Sequence, residues 1–192
     1  MRANYLRLLI LAVVFPLSPA FAATNLVIYA DKLENDFEDH SWVTCNFTNQ
    51  SPVHSGEYSI AVSSATNWQA LYFYHDNFDS TPYDSVSFWA HGGKDEGQTI
   101  QVQGLLDGKT PSDDTYSRAD LTNGWQEVTV TLEELDVVGK TNFNGIWIQE
   151  TPESPDTPFY IDDVQLNLKT PSAAAATEAK PAPAKSDASP PQ

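Results

Sequence analysis

The stretch "SVSFWAHGGKDEGQTIQVQGLL", residues 85–106, decides the fold class. In its first part Val86, Phe88 and Ala90 fall on one side of an extended chain, and Ser87, Trp89 and His91 on the other. After the glycine-containing turn "HGGKDEGQ", Ile100 and Val102 again oppose Gln101 and Gln103. A period of two is that of a strand with one buried face, whereas a helix would group residues three and four apart. The stretch therefore reads as two strands with a turn between them.

Outward from it in both directions, the same kind of run recurs. Toward the N-terminus lie "NLVIYA" (25–30), "WVTCNF" (42–47), "YSIAVS" (58–63) and "ALYFYH" (70–75). Toward the C-terminus lie "WQEVTVTL" (125–132), "GIWIQE" (145–150) and "FYIDDVQLNL" (159–168). The pieces between are turn chemistry, such as "SPVHSGE", "DNFDSTPYD", "DGKTPSDD", "LTNGW" and "TPESPDTP". Only "TLEELDVVG" looks helical, and one turn is all it supports. This density of short strands predicts an all-β domain, a two-sheet antiparallel β-sandwich.

Both ends fall outside that domain. Residues 1–22, "MRANYLRLLILAVVFPLSPAFA", have a basic start, a short apolar run and a small-residue cleavage pattern, as a signal peptide does. The run is shorter than the roughly 20 residues that span a bilayer, so export to a secreted or periplasmic location is expected, without membrane insertion. Residues 170–192 are rich in Ala, Pro, Ser and Lys and hold no aromatic residue, which predicts a disordered tail. The folded domain is expected over 23–169.

The chain carries 26 Asp and Glu against 10 Lys and Arg, a net charge of −16. Nucleic acid and anionic membrane surfaces would repel it, leaving neutral polymers or cations as partners. Its single cysteine, Cys45, can form no internal disulfide and reads as a small buried hydrophobe. His40, His54, His75 and His91 are too scattered for a helix-borne metal motif.

Sorting each strand by alternation gives the candidate binding residues. Leu71, Phe73, Ile146 and Ile148 join Val86, Phe88, Ile100 and Val102 as core. Tyr72, Tyr74, Trp89, His91, Gln101, Gln103, Trp147 and Gln149 point the other way, and are expected to form one aromatic and amide face. Such a surface is unusual unless it is covered or used. Sugar rings suit it: their C–H faces lie on Trp and Tyr rings, and their hydroxyls both donate and accept, as Gln amides do.

The ordered set "NDFEDHSW", "PVHSGEYSIAV", "VSFWAHGG" with "GQTIQVQ", "NGWQEVTVTLEEL", "FNGIWIQE" and "PFYIDDVQL" resembles the jelly-roll, galactose-binding-like carbohydrate-binding modules that accompany bacterial polysaccharide-degrading enzymes. The resemblance implies a non-catalytic, monomeric module that binds a polysaccharide or oligosaccharide. It also implies a structural calcium between the first and last strands. Carried over by position, its ligands would be Glu38 or Asp31, the carbonyls around Ser55 and Gly56, and Asp163 or Asp162. The alternative for these acids is a solvated rim.

Two other functions compete. A small glycan hydrolase or lyase would need a pair of carboxylates flanking a cleft, and no pair among so many acids is singled out. An envelope or matrix protein would use the aromatic face as a protein interface.

Overall fold

The computed structural model describes residues 24–63, 69–94, 97–152, 154 and 157–170; the signal-peptide and tail readings lie outside them. Twelve strands are present: β1 (Leu26–Ala30), β2 (Lys32–Leu33), β3 (Glu38–Asp39), β4 (Thr44–Asn49), β5 (Ser59–Ser63) and β6 (Ala70–Phe78). They continue with β7 (Tyr83–His91), β8 (Thr99–Leu106), β9 (Ser117–Asp120), β10 (Gln126–Thr131), β11 (Phe143–Glu150) and β12 (Phe159–Leu168). All nine predicted strands are found. The three additions, β2, β3 and β9, are short and polar, so neither alternation nor β propensity marks them. Residues 132–136 form turns, and no helix occurs among the described residues. None is therefore long and apolar enough to cross a membrane.

The strands form two antiparallel sheets. One, of five strands, runs β3-β6-β11-β8-β9. The other, of seven, runs β10-β7-β12-β1-β2, with β5 also on β12 and β4 on β5. β12 is the hub of this second sheet. On one side it pairs with β7; on the other its first half pairs with β5 through Phe159–Ile161 and its second half with β1 through Val164–Leu166. The expected adjacency of first and last strands is thus present.

Between the sheets the alternating apolar positions meet. Phe73, Ile146, Ile148, Val102, Val86 and Phe88 belong to one buried cluster. Burying a side chain such as Phe73 contributes about 1.5–3 kcal/mol from solvent transfer. Cys45 packs at the edge of this core, and burial pushes its thiol pKa up to about 11, which leaves no thiolate at neutral pH.

Sheet membership has a direct functional consequence. β7 belongs to the seven-stranded sheet and β8 to the five-stranded one, so the turn between them crosses the sandwich instead of closing a hairpin. Their outward side chains consequently face opposite directions.

Candidate functional site

On the five-stranded sheet, cross-strand register places Tyr72 beside Trp147 and Trp147 beside Gln103, with Gln149 beside Gln101. Six of the eight predicted binding residues, Tyr72, Tyr74, Gln101, Gln103, Trp147 and Gln149, are therefore outward on one face. Trp89 and His91 are not with them. They lie outward on the seven-stranded sheet, where Trp89 pairs with Glu127 and Asp162, and His91 with Tyr160. Alternation gave the correct side of each strand but could not assign the strand to a sheet, so the single face expected is in fact two.

The five-stranded face has a floor and a surface. Tyr72 is 9% exposed, and Gln101, Gln103 and Gln149 are 5–6% exposed, so these outward residues lie beneath their neighbours. At the β6 edge stands Trp42, 43% exposed, its ring edge-on to Trp147 at 4.9 Å and to Tyr72 at 6.4 Å. The indole N–H of Trp147 is buried with no partner among the described residues. An unmet buried donor costs about 1–3 kcal/mol, and in native structures it calls for a functional or solvent explanation.

Gly145 makes this packing possible. With φ at 156°, a Cβ there would come within 2.6 Å of the Tyr72 ring and 2.5 Å of the Phe73 carbonyl. Only glycine lets β11 pass that close at the bulge between Phe143 and Gly145.

Sequence reasoning missed Trp42 and His40. The edge continues past β3, with the His40 N–H donating to Tyr72 O at 3.0 Å and the Trp42 N–H to Ala70 O at 3.1 Å. Glu38, His40 and Trp42 thus alternate along the edge of β6. That period is visible in "EDHSW", but without β-branched residues it does not look like a strand. His40 stacks flat on Tyr74, 4.1 Å between centroids, and its Nε2 lies 3.2 Å from Glu38 Oε2. The Tyr74 hydroxyl donates to Asp76 Oδ1 at 3.0 Å, and this bond is the main reason its pKa is raised. Asp36, Glu38, His40, Tyr74, His75 and Asp76 line a concavity of about 540 Å³ at this end of the face. Chemically, the face offers rings to stack on, amides beneath, and carboxylates at one end to accept hydroxyl protons.

The expected calcium ligands divide as well. Glu38 is at the concavity just described, in the five-stranded sheet, whereas Asp162 and Asp163 are in β12 of the other. Asp31, Ser55, Gly56, Asp162 and Asp163 do come together around the loop between β4 and β5. Asp31 Oδ1 accepts from the N–H groups of Glu57 at 2.6 Å and Tyr58 at 2.8 Å. Asp162, 0% exposed, accepts from the N–H groups of His54 at 2.9 Å, Ser55 at 3.3 Å and Asp163 at 2.9 Å. Asp163 receives the Ser55 hydroxyl at 2.8 Å and lies 2.7 Å from His54 Nδ1.

The loop thus presents N–H groups to the acids where a calcium site needs carbonyl oxygens. Among the described residues no three acidic, His or Cys side chains converge to hold a metal. As arranged, this donor set does not fit calcium; it is a latch in which Asp31 and Asp162 take backbone N–H groups and Asp163 takes the side chains of Ser55 and His54. Burial, the largest cause, raises the Asp162 pKa despite those bonds.

No family model matches the chain. An endoglucanase from Dictyostelium discoideum is 25% identical over 149 residues, covering 73% of this chain. The chain spans only 21% of that relative's length. Among solved structures, a family 11 carbohydrate-binding module from Clostridium thermocellum, in complex with a β-1,3-1,4-mixed-linked tetrasaccharide, superposes with a TM-score of 0.55 at 12% identity, over 77% of this chain and 97% of that one. A xylan-binding domain from Paenibacillus barcinonensis gives 0.52 at 12% identity over the same shares. A family 29 carbohydrate-binding module complexed with mannohexaose gives 0.51 at 11%, over 76% and 92%. The fold of this chain is that of these jelly-roll modules.

Proposed function

We propose that the protein is an exported, monomeric, non-catalytic module that binds a neutral polysaccharide or oligosaccharide along the outer face of the five-stranded sheet. The observation that carries this reading is the exposed Trp42 standing edge-on to Trp147 and Tyr72, on a sheet face that also carries three covered glutamines. Exposed tryptophan on an open sheet is apolar surface left in water, and a sugar ring covers it without displacing the polar groups beside it. The concavity at Tyr74 adds Glu38 and Asp76 as hydroxyl acceptors. The surplus of 16 negative charges disfavours uronate or sulfated polymers and leaves neutral glycans as the preferred class.

The jelly-roll neighbours and the endoglucanase segment support the reading, since their names concern glycans. Catalysis has less support. Glu127 and Glu150, the acids nearest the tryptophan strands, lie on different sheets, Glu127 exposed and Glu150 buried.

Calorimetric titration of the full chain with soluble β-glucan, xylan, mannan and galactan, alongside an assay for new reducing ends, tests the proposal. Saturable heat without bond cleavage is the expected result. Silence across the panel rejects the glycan reading, and turnover rejects the non-catalytic one.

A further inference from the structure

The outer face of the seven-stranded sheet has its own aromatic surface. Trp89 stacks against His54, 3.8 Å between centroids at an interplanar angle of 13°. His54 meets Trp125 at 5.7 Å, Trp125 meets His91 at 5.3 Å, and His91 meets Tyr160 at 5.9 Å. Beside this row lies a hollow of about 250 Å³ whose lining includes Trp89, Val27, Ser87, Glu127 and Gln165 but not His54. The hollow has a structural cause. The register of β1 on β12 slips between Val27 and Tyr29, and that of β12 on β7 slips between Asp162 and Gln165. Two bulges side by side interrupt the alternation that would otherwise fill the surface with side chains, and bulged strands bend.

We propose that this hollow is a second saccharide site, taking one neutral pyranose unit against Trp89, so that one module engages two glycan chains on opposite faces. The lining suits such a ring, with Tyr29 and Asp163 also among its residues. An indole wall and the apolar Val27 receive its C–H faces, while the exposed Glu127 carboxylate accepts hydroxyl protons at the rim. Gln165 both donates and accepts, and its Nε2 contact with Ser87 Oγ, at 3.5 Å, is long enough to yield to a hydroxyl. A peptide would find no unpaired strand edge here, because β7 and β12 are both interior to their sheet. The site shares no residue with the five-stranded face.

The test uses the full chain with the tetraoses of β-glucan, xylan and mannan, followed by calorimetry and by the indole N–H signals in nuclear magnetic resonance. The expected result is two equivalents per chain, with separate shifts at Trp89 and at Trp42 and Trp147. Trp89→Ala should weaken one equivalent by about tenfold or more and abolish cross-linking of soluble polysaccharide, leaving the other equivalent intact. Should Trp89→Ala fail to fold, Glu127→Gln combined with Gln165→Ala removes only rim groups and should give the same loss. One equivalent, lost entirely in Trp147→Ala and untouched by either variant, overturns the second site while leaving the proposed function standing. Loss only in the Trp89 and rim variants supports the second site and rejects the five-stranded face. No binding at all overturns both.

Discussion

The two outer faces of the sandwich are made from the same residue types and end in different states. On the five-stranded sheet, Trp42 stands exposed, edge-on to a half-buried Trp147, beside Tyr72 and the covered glutamines of β8 and β11. On the seven-stranded sheet, the loop carrying His54 to Tyr58 folds over the surface and presses His54 flat on Trp89. The difference comes from three acids: Asp31 and Asp162 hold that loop by its backbone N–H groups, and Asp163 holds it by the Ser55 hydroxyl and the His54 ring. Exposure of an aromatic residue is thus decided less by the strand it sits on than by what the adjoining loop is anchored to.

Both faces depend on one core, and the largest expected effect shows this. Phe73→Ala vacates a fully buried site between the sheets and should cost about 3–5 kcal/mol in urea unfolding, weakening every binding signal only through unfolding. If the variant were near wild-type stability, the two faces would not share a common interior.

Asp162→Ala should come next and separate the faces. It leaves three backbone N–H groups without their acceptor, at a cost of about 3 kcal/mol, and it loosens only the seven-stranded side. Glycan titration of the opposite face should be unchanged at a temperature where the variant is folded. The pH dependence has a definite sign. Because the folded Asp162 carboxyl holds its proton to higher pH than the unfolded value of about 3.9, stability falls as pH rises through that interval up to the folded pKa. Asp162→Asn should flatten that decline in thermal melts taken across the acid range.

Trp42→Ala should do the reverse. It removes an exposed ring, so stability should change by under about 1 kcal/mol, while affinity for the preferred oligosaccharide drops by about tenfold. Equal losses of stability in Trp42→Ala and Phe73→Ala would mean that the open face is merely core turned outward. The smallest effect expected is that of calcium. With the latch carboxylates already bonded to N–H and hydroxyl groups, neither calcium nor a chelator should move the melting temperature, and a clear calcium-dependent rise would show that the loop can turn its carbonyls inward.

Much of this was legible in the sequence, for physical reasons that also mark where it stops. Strict alternation in "SVSFWAH" and "GIWIQE" identified strands and their buried sides, because a period of two follows from backbone geometry alone. Alternation carries no information about which sheet a strand joins, so Trp89 was grouped with Trp147 although the sandwich lies between them. Trp42 was counted with the strand at 42–47, which in fact begins at Thr44 in the other sheet; it and His40 instead extend an edge strand built from Glu, Asp, His and Ser. The acids of the latch were found, but not their bonding. Whether a turn offers N–H or C=O groups depends on a few dihedral angles, such as the positive φ of Asp31, Gly56 and Asp163, that composition does not specify.

The double pairing of β12 also sets an order of events. Its partners β1 and β5 lie near the start of the described chain, with Leu26 facing Leu166 and Ile60 facing Ile161, so almost every residue must be present before the seven-stranded sheet can close. Contacts of such high sequence separation make folding slow, since the chain entropy of closing long loops is spent before the contacts form. A chain emerging N-terminus first from a ribosome or a translocation pore would therefore remain open until its last strand arrived. The strands of the five-stranded sheet can pair before that, because β3, β6, β8, β9 and β11 are all complete by Glu150, although their inner side is covered only when the second sheet closes on it. The proposed primary binding face can thus assemble earlier than the latch, and residues 159–168 act as the closing step that turns one half-built sheet into a sandwich.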